Sequence, residues 1–121
     1  MSRYRIRIAV IVVLVLPFVL LSLGCRTKIG DITEKPDEYR NQQVILYGEV
    51  DKKLPLPFME TAAYLLKDDT GEIWVLTKRT LLPQVGETLK VTGVIEAGIR
   101  VGTREFGLVL SEQKREQATE N

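Results

Sequence analysis

Two apolar runs place a glycine at the same point: Leu46-x-Gly48-x-Val50 and Val91-x-Gly93-x-Ile95. A mid-strand glycine between apolar residues of one face weakens a strand unless the sheet bends or bulges there. Closing a small sheet into a barrel demands such coiling. The alternative is a glycine tolerated in a flat strand, but the same setting twice favours the barrel. The strands themselves are legible. Residues 43–53 (QVILYGEVDKK) are rich in β-branched and aromatic side chains. Residues 62–68 (AAYLLKD) and 72–79 (EIWVLTKR) follow, separated by Asp69, Thr70 and Gly71, the chemistry of a short hairpin turn. Residues 87–98 (ETLKVTGVIEAG) and 105–111 (EFGLVLS) bring the strands to five. The expected fold is all-β, a small five-stranded barrel or sandwich.

The N-terminus has a different character. Arg3, Arg5 and Arg7 precede a run from Ile8 to Cys25 without charge, interrupted by Pro17 and ending in Ser22, Leu23 and Gly24. A basic segment, an apolar segment and small residues before a cut form a secretory signal. The run is short for a membrane span, which needs about 20 apolar residues. Cys25 is the chain's single cysteine. With no histidine in the chain to activate it, a catalytic thiol is the weakest reading. The stretch LSLGC resembles the lipobox of bacterial lipoproteins, with Gly24 as the small residue before the cysteine. That resemblance implies a thiol carrying a diacylglyceryl group, a cut just before Cys25, and acyl chains that hold the protein on a bilayer. The alternative is an uncleaved signal anchor with Cys25 as a bystander. Either way the domain is expected at the cell membrane, tethered on the extracytoplasmic side.

Removing residues 1–24 takes away three arginines and leaves 97 residues with fourteen basic and sixteen acidic side chains, a net charge of −2. That balance argues against a general nucleic-acid binder, which needs a basic excess. Without a second cysteine the fold must rest on a hydrophobic core. After residue 24 the only serine is Ser111, and no phosphate loop, nucleophile elbow or metal-spaced ligand set occurs. Asp68, Asp69 and Glu72 cluster at a turn but supply too few oxygens for a dedicated calcium site; a turn built by Asp side chains explains them. Neither an enzyme nor a cofactor is expected.

Residues 29–111 also show a resemblance. A lead-in with proline and tyrosine (29–42), V-x-x-x-G-x-V (44–50), a hairpin carrying D-x-T-G (68–71) and G-E-x-L-x-V-x-G (86–93) resemble bacterial envelope proteins with the OB fold. This is the five-stranded Greek-key barrel. The link between the third and fourth strands, around Pro83 and Gly86, has room for one helical turn at most. The haem-binding branch of the fold uses a histidine, absent here, so that activity does not carry over. The domain plan is a signal peptide at 1–24, a lipidated tether at 25–28, an OB domain at 29–111 and a polar, frayed or disordered tail at 112–121.

In OB folds the ligand face is made by strands two and three with two flanking loops. On the third strand, Ile73 and Val75 share one face, and Trp74, Leu76 and Lys78 the other. Lys67 is expected near Trp74 across the hairpin, giving a stacking and cation–π platform; the alternative is a Trp74 that merely covers the barrel. The first loop offers Leu54, Leu56, Phe58 and Met59 between prolines, as a plug under the barrel or, less favoured, a surface for a partner. The second offers Arg100 and Arg104. The expected site is therefore Lys67, Trp74, Lys78, Phe58, Arg100 and Arg104. Its expected ligand is an envelope protein or peptide. The alternatives are an anionic small ligand or oligosaccharide, and a structural assembly subunit whose site residues are incidental.

Overall fold

In a computed structural model the described residues are 27–56 and 59–118. The signal segment, Cys25 and Phe58 lie outside them. A short helix, α1 (Ile29–Glu34), and a single turn of helix, α2 (Pro36–Tyr39), lead into β1 (Gln43–Pro55), β2 (Thr61–Lys67) and β3 (Glu72–Lys78). A 3-10 turn (Arg79–Leu81) connects to β4 (Thr88–Val101) and β5 (Arg104–Gln117). The five strands close into a barrel in the order β1-β2-β3-β5-β4. Only the β3–β5 closure is parallel, over Trp74↔Val109 to Leu76↔Ser111.

The barrel coils where the two glycines sit. β1 pairs with β4 up to Glu49 and with β2 from Glu49 onward. At this changeover a Cβ on Gly48 would stand 2.6 Å from the Lys67 carbonyl oxygen. Gly93 lies at a register shift between β4 and β5, where a Cβ would overlap the Ser111 carbonyl. The inward positions then alternate as expected: Leu46 and Val50, Tyr64 and Leu66, Ile73 and Val75, Val91 and Ile95 are buried in one core.

One element is new and one expectation changes. The lead-in carries helix α1, whose Ile29 and Ile32 are fully buried against that core. Its N-terminus is held by the β2–β3 turn: the Ile29 N–H donates to Asp68 Oδ2 (3.0 Å) and the Gly30 N–H to Thr70 Oγ1 (2.8 Å). Asp68 Oδ1 also accepts from the backbone N–H groups of Thr70 and Gly71. This is the Asp-built turn anticipated from the sequence, with a second duty. The changed expectation concerns 112–121. β5 runs through Gln117, so 112–117 are a barrel strand paired to β4 as far as Leu89↔Gln117. The ladder to β4, not apolar composition, holds this polar stretch in place.

Candidate functional site

The outer face of the β2–β3 hairpin presents Ala63, Leu65, Trp74 and Leu76. Ala63 pairs with Leu76 and Leu65 with Trp74. Over this face lies a second apolar cluster. Leu56 from the β1–β2 loop packs with Val101, Phe106 and Val109, and the partly buried Leu54, Met59, Trp74, Leu76 and Ile99 pack against them. Trp74 meets Phe106 edge-on, with ring centroids 5.9 Å apart at 67°. The loop residues Leu56 and Met59 therefore pack over this outer face rather than under the barrel as a plug. Trp74 is half-buried, neither a free platform nor a core residue.

The expected cations do not converge on Trp74. Lys67 lies opposite Glu72, because Asp68 is part of the turn and pairing begins one residue before it. Its ammonium pairs with Asp51 at 3.7 Å. Lys78 is at the other end of the hairpin, opposite Thr61, roughly 20 Å from Lys67 at the rise of a strand. Arg100 and Arg104 belong to opposite strands of the β4–β5 hairpin, next to the turn at Gly102. Arg100 faces Glu105 and pairs with it at 3.6 Å. Among the described residues the cation–π contact is Arg115 over Tyr64, 5.8 Å from the ring centroid, and not one at Trp74.

That contact belongs to a polar cluster the sequence reading missed. The Tyr64 hydroxyl donates to Glu112 Oε1 (2.7 Å) and the Thr77 hydroxyl to Glu112 Oε2 (2.6 Å). Arg115 Nη1 lies 3.6 Å from Glu112, whose side chain is 7% exposed. Burial, reinforced by Glu112, pushes the Tyr64 hydroxyl well above the ordinary phenol range, so it remains a donor. Both carboxylate oxygens are engaged, and the cluster ties β2, β3 and β5 together at one end of the barrel. The available signal was the alternation Leu108, Leu110, Glu112, which puts a carboxylate at an inward position.

No protein-family model matches the chain, and no curated protein matches it. Solved structures do. The chain is similar to asparaginyl-tRNA synthetase from Pyrococcus horikoshii complexed with asparaginyl-adenylate, at 17% identity and a TM-score of 0.59 over 79% of this chain and 23% of that one. It is similar to the second OB-fold domain of replication protein A from Methanococcus maripaludis, at 18% identity and a TM-score of 0.58 over 80% of this chain and 98% of that one. It is similar to the OBody AM1L10 bound to hen egg-white lysozyme, at 11% identity and a TM-score of 0.55 over 80% and 97%. The chain thus spans less than a quarter of the synthetase and nearly all of the single barrels. Such identities speak for the fold alone: this is an OB-fold domain, a scaffold whose function lives in its site.

Proposed function

We propose that the chain is a non-catalytic OB-fold binding module, tethered outside the cytoplasm through Cys25, whose β2–β3 face and flanking loops bind an envelope protein or peptide. One observation carries this reading. The face is apolar and aromatic, built of Leu54, Met59, Trp74, Leu76 and Ile99 around Phe106, while Lys67 and Arg100 are paired with carboxylates. An anionic ligand needs converging cations, so an anion or oligosaccharide site is the less supported alternative. An OB barrel of similar fold bound to a protein, lysozyme, is in keeping with it. The test places a photo-crosslinking residue at Leu76 of the full chain in its native membrane. A discrete protein adduct is expected, surviving high salt and fading when Trp74 is replaced by Ala. No adduct, or one lost steeply with salt, overturns the reading.

A further inference from the structure

Beyond β3 the barrel wall is open. β3 pairs with β5 only as far as Leu76↔Ser111, and the chain then turns away through Arg79–Leu81. β5 continues to Gln117, paired to β4 on one side; among the described residues no strand pairs with its other edge. The Ala118 N–H donates to the Thr88 carbonyl at 2.9 Å. Alternation along an antiparallel ladder then points the backbone N–H and C=O of Gln117 and Arg115 away from β4, at the open edge.

Beside that edge lies a groove of ≈ 350 Å³, lined by Leu82, Pro83, Glu87, Leu89, Arg115 and Gln117. Leu81 and Val85, on the same link, are exposed large apolar residues at 48% and 58%. Inside, Arg115 Nη1 is buried 3.6 Å from Glu112 Oε1, and Nη2 donates to the Leu81 carbonyl. Glu87 lines the same groove, so the guanidinium is already offset by carboxylates and the groove suits a neutral occupant rather than an anion. An extended, uncharged backbone is such an occupant, and it matches the unpaired groups of the edge at strand spacing.

We propose that the open edge of β5 at Arg115 and Gln117 is a β-augmentation site, where an extended, uncharged segment of a partner protein adds as a strand and sets an apolar side chain into the groove over Leu89. The site is separate from the β2–β3 face and stands whether or not that face binds anything. The probe is the peptide acetyl-Thr-Val-Thr-Val-Thr-amide, added to the full-length chain in detergent micelles with amide exchange followed by NMR. Exchange at Arg115 and Gln117 is expected to slow about ten-fold or more, with the β2–β3 hairpin unchanged. The same peptide N-methylated on every residue has no donors for the ladder and is expected to change nothing. Gln117→Pro removes one edge donor without touching the ladder to β4, and should abolish the protection at Arg115. The proposal is overturned by unchanged exchange at millimolar peptide, by equal slowing with the N-methylated peptide, or by slowing spread over the whole barrel.

Discussion

Gly48 and Gly93 were legible as sites where the sheet must coil, but the reason they are glycine is more specific. Neither has a positive φ; each lies where the backbone of the neighbouring strand comes too close for a Cβ. The clash at Gly93 is with backbone, flanked by the Leu110 side chain, so nothing flexible can yield. Gly93→Ala is expected to cost about 3 kcal/mol, the upper end of overpacking, and Gly48→Ala about 1–3 kcal/mol. Urea unfolding measures both, and a neutral result at Gly93 would count against the close approach. Trp74 was legible as outward-facing from strand alternation, yet its cover was not, because Phe106 and Met59 come from elements distant in sequence. Trp74→Ala should cost about 2 kcal/mol, between the small loss at an exposed position and the 3–5 kcal/mol of a fully buried one. Thermal melts check it.

Among elements, the strands were readable from composition, but α1 and the end of β5 were not. Six residues carry too little propensity to show as a helix, and α1 has no cap of its own: Lys28 makes no side-chain cap bond. Its cap comes from Asp68, 39 residues away, a contact no local pattern announces. Burial pushes the Asp68 carboxyl up, but the hydrogen bonds from Thr70, Ile29 and Gly71 outweigh it and hold it below the ordinary carboxylate range. A depressed folded value stabilises the fold above the unfolded one and is lost as pH falls through the folded one. Asp68→Ala should therefore cost about 1–3 kcal/mol at neutral pH, and the gap between variant and parent should shrink as pH drops below about 4. A gap constant with pH would exclude the charged cap. The last strand makes the opposite point, that a polar run can be structural. Ending the chain after Ser111 removes Glu112 and Arg115 and leaves the Tyr64 and Thr77 hydroxyls without their acceptor. That chain is expected to lose its cooperative unfolding transition by circular dichroism, whereas a dispensable tail would leave the melt unchanged.

At the scale of the whole molecule, the barrel was legible because alternation, turn chemistry and the paired glycines all point to closure. The candidate face on β2 and β3 was only half legible. Its apolar character follows from alternation, while the fate of Lys67, Lys78, Arg100 and Arg104 depends on register and on carboxylate partners that no spacing reveals. The proposed tether at Cys25 is a short one, because α1 begins at Ile29, four residues on. A fully extended link of that length spans about 14 Å. Lipid on Cys25 would hold the α1 end of the barrel close to the bilayer, and one acyl chain would not hold it stably whereas two or more would. The expected mature protein, taken from its native membrane, starts at Cys25 and carries acyl chains by mass spectrometry. Cys25→Ser should leave the thiol-dependent step undone and the N-terminal segment attached. A native chain still beginning at Met1 would replace the lipid anchor with the uncleaved signal anchor, and a Cys25→Ser protein cut and released in soluble form would remove the cysteine from the tether altogether.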